Sequence, residues 1–214
     1  MSARERFALA LGAVVAIALI VSGIAPADRI TWVMEVLPVV IAGAVIAMTW
    51  KRFPLTTLLC ILIAVHSIVL IVGGHYTYAH VPFGFWLQEV LGTLRNPYDK
   101  IGHFLQGFVP AMVAREIFLR GGHIAGRRMT AFLCICVALA ISAVYELIEW
   151  WAALAMGQGA DEFLGTQGDQ WDTQSDMFMA LIGSCSALLA LSSLHDRQIA
   201  ALNSSGRPRS ASTG

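Results

Sequence analysis

The chain has 214 residues, of which 57% are hydrophobic and 13% charged, with a mean hydropathy of +0.68. Fourteen basic and fourteen acidic side chains cancel to a formal charge of zero. These values exclude an ordinary soluble domain and a basic nucleic-acid binder, and the chain is too long for a simple anchor, so an all-α polytopic membrane protein is expected.

Crossing a bilayer takes about 20 apolar residues per helix. Six stretches meet that requirement: Phe7 to Ile24, Ile30 to Trp50, Leu55 to Val72, Tyr98 to Leu119, Met129 to Trp151, and Ser175 to Leu194. They make residues 1–196 one six-helix domain, followed by a polar, disordered tail at 197–214. The first stretch has Arg4 and Arg6 before it and Ala25-Pro26-Ala27 after it, as a signal peptide would. Its apolar run is longer than a signal core of about 7–15 residues, which favours a retained helix. Lys and Arg near the helix ends set the orientation. With the N-terminus inside, eleven of the fourteen basic residues and three of the fourteen acids lie on the cytoplasmic side, a net +8. The outer side then carries −8, and both termini are expected to be cytoplasmic.

The second span carries Glu35 and Pro38, and the third carries His66 before Gly73-Gly74. Glu35 is either a partner for a basic or metal group or an interfacial acid in contact with water. A lone histidine such as His66 is more often hydrogen-bonded to its neighbours than a ligand. The outer loop at 74–97 contains FGFWLQEVLGTL, a short amphipathic segment expected to lie at the membrane interface. Cys60, Cys134, Cys136 and Cys185 all fall inside spans, with no CxxC spacing, and read as small apolar side chains.

The fourth span, within RNPYDKIGHFLQGFVPAMVAREIFLR, holds Asp99, Lys100, His103 and Gln106 in its first three turns. Ionisable groups in hydrocarbon cost about 2.5–3.5 kcal/mol each on insertion scales, so they face a partner or a cavity. Asn96 is expected to cap this helix, with Pro97 at the first helical position and Asp99 in the first turn. Asp99 is thus either an acid favoured by the positive helix end or part of a site. His103 follows four residues later on the same face, and Gln106 continues the stripe.

The fifth span ends in SAVYELIEWW, which sets Glu146 and Glu149 three apart on one face at the depth of His103. The acidic outer loop at 152–173 then leads to Asp172 and Asp176 at the start of the last span. A solvated loop with acids near a helix N-terminus accounts for part of this pattern. It does not account for acids from three helices arriving at one depth. Carboxylates and histidine from several helices are what bundle-core metal sites are made of, and a divalent cation suits them.

The segments HYTYAHVP, RNPYDKIGHFLQGFVPAMVAREI, AVYELIEWWAALAMGQGADEFLGTQGDQWDTQSDMFMALIG and SLHDRQ resemble the YjdF-type family of bacterial inner-membrane proteins over nearly the whole chain. That resemblance implies a plasma-membrane location and no assigned reaction. More loosely, Asp99-Lys100-x-x-His103, the acid-bearing fifth helix and Asp172-x-x-x-Asp176 are similar to VanZ-like membrane proteins, implicated in resistance to the glycopeptide teicoplanin. Those chains usually carry Gln at the position of Glu149 and Asn at that of Asp176, so this pocket is more acidic.

The sharpest functional expectation is a site in the outer half acting on a lipid or lipid-linked envelope molecule. His103, Glu146, Glu149, Asp172 and Asp176 would hold a divalent metal ion. Arg95 and Lys100 would hold an anionic head group, with Asp99 and Gln106 beside them, and Glu146 or Glu149 would serve as general base. The alternatives are a purely structural polar core and a small proton-coupled transporter. The transporter requires polar residues to continue to the inner face, where the spans carry little beyond Thr56, Thr57 and the Arg115-Glu116 pair. No nucleotide-binding loop, serine elbow or nucleic-acid patch is present.

Overall fold

The computed structural model describes residues 1–122, 124, 126–156 and 167–205. Among them are seven α-helices and no strand: α1 (Ala3–Ser22), α2 (Arg29–Thr49), α3 (Thr57–Tyr76), α4 (Pro82–Leu91), α5 (Tyr98–Gly121), α6 (Arg127–Met156) and α7 (Asp172–Ser205). Five of them, α1, α2, α3, α6 and α7, are long and apolar enough to cross a membrane. α5 has the length, at 24 residues, but its charged residues keep it out of that set. The α4 segment expected at the interface is a helix of ten residues, about 15 Å long and too short to span. Phe83, Phe85 and Trp86 are exposed on it.

Local sequence sets the helix ends. Ser2 and Glu5 form a reciprocal capping box on α1, and Asp28 accepts from the Thr31 amide at 2.7 Å to start α2. That contact holds the Asp28 carboxyl below its ordinary range. α5 begins one residue later than the sequence suggests, because Pro97 precedes the helix and the Asn96 side chain accepts from the Tyr98 amide at 3.0 Å. Asn96 also donates to the Val81 carbonyl at 3.1 Å, so one buried side chain fixes α5 against the start of α4. The last span was expected to end at Leu194, yet its helix continues through Ser205, taking in residues 197–205 of the expected tail. The rest of that tail, and residues 157–166 of the acidic loop at 152–173, lie outside the described residues.

α5 is the centre of the bundle, packed on α7, α6 and α3, while α1 and α2 pack on α3 from one side. The α5–α7 crossing is close because both helices present glycine there. A Cβ on Gly107 would overlap the Ala180 carbonyl, and one on Gly183 would overlap that of Phe104. Such contact is the small-residue packing used between helices in lipid. Below it, Leu58, Met112 and Ala187 join α3, α5 and α7, and Ala111, Ala114, Cys134 and Ala138 join α5 to α6.

Beyond this apolar layer sits a second polar cluster. Glu116 is fully buried and accepts from Thr56 Oγ1 at 2.7 Å, from Arg120 at 2.7 Å and from His195 Nε2 at 2.9 Å. Arg115 donates to His195 Nδ1 at 3.1 Å and pairs with Asp196 at 2.5 Å. Since arginine only donates, Nδ1 is an acceptor and the imidazole is the neutral Nε2–H tautomer. His195 falls just past the span boundary drawn from sequence, which hid its role. The cluster clamps the start of α3 to α5 and α7.

Two measurements follow from this packing. Gly183→Leu should overpack the crossing and cost about 1–3 kcal/mol or more, read as an earlier thermal unfolding midpoint in detergent. Glu116→Ala leaves His195 Nε2 without its acceptor and Arg120 with the Pro54 carbonyl in place of its carboxylate, and should cost about 3–5 kcal/mol in the same assay. An unchanged midpoint in either variant would contradict the packing described.

Candidate functional site

The opposite end of α5 carries the residues singled out in the sequence. Asp99, His103 and Gln106 lie on one face of its first turns, as the spacing predicts, and the close crossing sets that face against Asp172, Ser175 and Asp176 at the start of α7. α6 brings Glu146 and Glu149 from a third side. His103, Glu146 and Asp176 are all buried.

The orientation of His103 is fixed by its neighbours. Nδ1 lies 3.0 Å from Gln106 Oε1, which is an acceptor, so Nδ1 carries the proton. Nε2 faces Asp99 Oδ1 at 3.5 Å and Asp176 Oδ1 at 3.9 Å. These separations are too long for hydrogen bonds. One ligand atom each from Asp99, His103 and Asp176 lies within 4.8 Å of the others. Metal–ligand bonds of about 2.0–2.2 Å put two ligand atoms at most about 4.4 Å apart, so the triad is within a few tenths of an ångström of a coordination set. Glu146 Oε1 stands 3.7 Å from His103 Nδ1, is buried, and has no hydrogen-bond partner.

The other expected residues take different places. Asp172 pairs with Arg95 at 2.6 Å and with Lys100 at 2.8 Å, and so faces the two cations rather than His103. Lys100 also reaches Asp176 at 2.5 Å and donates to Ser175 at 2.6 Å. Arg95 bridges to Asp169 at 3.1 Å as well. Burial works against the charge on Arg95, but Asp172 outweighs it and holds the guanidinium above its ordinary pKa. Both basic residues meant for a head group are therefore engaged by acids of the chain itself.

Glu149 lines a cavity of about 20 Å³ together with Glu35, Tyr78, Asp99, His103 and Tyr145. Its volume and polar lining suit one water molecule. Glu35, from α2, is buried and accepts from the Tyr145 hydroxyl at 2.8 Å, which differs from both of its sequence readings: it is not an exposed interfacial acid, and its partner is a phenol rather than a basic or metal group. Among the described residues His66 makes no hydrogen bond to the site, and its Nε2 is buried without a partner there.

Tyr78 and Tyr145 were missed. Tyr145 stands one residue before Glu146 in an otherwise apolar run, a signal that was available. Tyr78 was hidden by its backbone: Thr77 and Tyr78 are consecutive non-glycine residues at φ 55° and 47°. That left-handed pair folds the Tyr78 ring back over Gly73, where a Cβ would overlap the ring. Strain of this kind costs on the order of 1–3 kcal/mol per residue and persists where surrounding structure enforces it.

Comparison with known proteins bears on this arrangement. Residues 7–197 match the family model described as "Predicted membrane protein (DUF2238)". The chain is similar to "Inner membrane protein YjdF" of Escherichia coli (strain K12), 64% identical over 181 residues, which cover 85% of this chain and 87% of that protein. No solved structure matches it. A family match spanning both polar clusters, with a relative this similar over most of both lengths, establishes that the chain belongs to the DUF2238 family of membrane proteins.

Proposed function

We propose that this is a multi-pass inner-membrane protein whose α5 is a sixth span and whose termini are both cytoplasmic. Its outer-half cluster would be a divalent-cation site acting on a lipid or lipid-linked envelope molecule. The inner-membrane location is that of the relative's name and agrees with five apolar helices of spanning length. In this reading the polar groups of α5 are sheltered by α3, α6 and α7 rather than exposed to lipid. The Glu116–His195 clamp lies at the cytoplasmic end, where the basic residues concentrate.

The observation that carries the site is His103. Its Nδ1 proton is committed to Gln106, the kind of contact that orients a ligating histidine, while Nε2 faces two carboxylates at non-bonding distance. Asp99, His103 and Asp176 form the inner ligand set. Asp99 thus moves from the head-group side to the metal side of the sequence expectation. Asp172 moves the other way, holding Arg95 and Lys100, which remain the groups that would meet an anionic head group. Glu146, with a buried oxygen lacking any donor, and Glu149, on the water-sized cavity, supply candidates for a general base. The apolar layer of Leu58, Met112 and Ala187 between the two polar clusters argues against a transport path.

Elemental mass spectrometry on the detergent-purified protein, loaded in turn with Mn, Zn, Mg and Ca, should find near-stoichiometric metal. Folded His103→Ala and Asp176→Asn variants should lose it. Gln106→Ala should weaken it by about 10–100-fold, as loss of a hydrogen-bond partner behind a ligating histidine does. No metal in the wild type after loading would leave the cluster a structural polar core. Sidedness has its own test: in a cysteine-free background, Thr93→Cys should react with a membrane-impermeant maleimide added to spheroplasts and Lys51→Cys should not, and the reverse pattern would invert the topology.

A further inference from the structure

The same oxygen of Asp176 that faces His103 is already held by a cation of the chain. Lys100 Nζ lies 2.5 Å from Asp176 Oδ1, and His103 Nε2 lies 3.9 Å from that atom. Asp176 has no freedom to serve the two in turn by moving away, since its side chain is only 3% exposed at the base of α7, whereas that of Lys100 is 19% exposed. Lys100 has somewhere to go. Its ammonium also contacts Ser175 Oγ at 2.6 Å and Asp172 Oδ1 at 2.8 Å.

We propose that Lys100 is a tethered counter-ion of the cation site: it neutralises Asp176 when no divalent cation is bound and is displaced from it when one binds. This rests on the site reading given above. Two positive centres competing for one carboxylate oxygen in a water-poor site repel strongly, and the mobile, partly exposed one yields. The exchange keeps the buried carboxylates compensated in both states, which a bundle in lipid requires. The released ammonium swings toward Asp172 and the outer edge of the cluster.

Mn binding to the full-length protein in detergent tests the exchange. Lys100→Gln should bind Mn at least about tenfold more tightly than the wild type, the scale on which a neighbouring charge shifts a site, while Lys100→Arg should stay close to the wild type. Equal or weaker binding by Lys100→Gln, with the wild type binding, overturns the exchange and leaves the site standing. No Mn binding by the wild type or by Lys100→Gln overturns both. Should the glutamine variant fail to fold, the wild type decides alone. Lys51 and Lys100 are its only lysines, so amine acylation followed by mass spectrometry has an internal reference. Saturating Mn should raise labelling of Lys100 several-fold relative to Lys51, and an unchanged ratio overturns the proposal.

Discussion

The approach of α5 to α7 governs what every other part of the molecule does. Glycine at 107 and at 183 removes the side chains that would otherwise hold the two backbones apart. Only at that separation does the polar face of α5 meet the acids at the start of α7. The same contact seats Arg115 and Glu116 against His195 and Asp196 at the far end. Were the helices a side chain further apart, ionisable groups at both ends would face lipid or empty space, and their desolvation would go uncompensated.

The two polar clusters differ in how completely they are satisfied. Around Glu116 each carboxylate oxygen has donors, and the histidine between Arg115 and Glu116 has both ring nitrogens engaged. A network in that condition rigidifies a fold. Around His103, one ring nitrogen is held while the other faces acceptors it does not bond, Glu146 keeps an oxygen with no donor, and Lys100 is shared among three groups. Incomplete satisfaction next to a water-sized cavity, enclosed by a strained Thr77–Tyr78 turn, is where chemistry or binding is to be sought rather than stability.

Much of this was legible in the residues because burial in lipid makes charge conspicuous. Asp99, His103, Gln106, Glu146 and Asp176 stand out as costly residues at common depth, and helical spacing places them on facing surfaces. The allocation among them was not legible. Whether Asp172 turns to His103 or to Arg95 depends on the rotation of α7 about its axis, which a single acidic stripe does not specify. His195 was lost because a hydropathy boundary marks where apolar character fades, not where a helix stops. Tyr78 was lost because two successive left-handed residues leave no signature when neither is glycine. The α4 helix, in contrast, follows directly from a proline start, an amphipathic run and a glycine end.

The spacing of the two clusters along α7 makes the protein a ruler. From Asp176 to His195 is nineteen residues, about 28 Å of helix, close to the roughly 30 Å of hydrocarbon in an average bilayer. On α5 the corresponding stretch from Asp99 to Glu116 is seventeen residues, about 25 Å. With charges pinned at both ends by contacts to a neighbouring helix, neither helix is free to tilt independently to match a thicker membrane. Any mismatch with the surrounding bilayer is then met by the two helices moving as one unit or by the lipid around them.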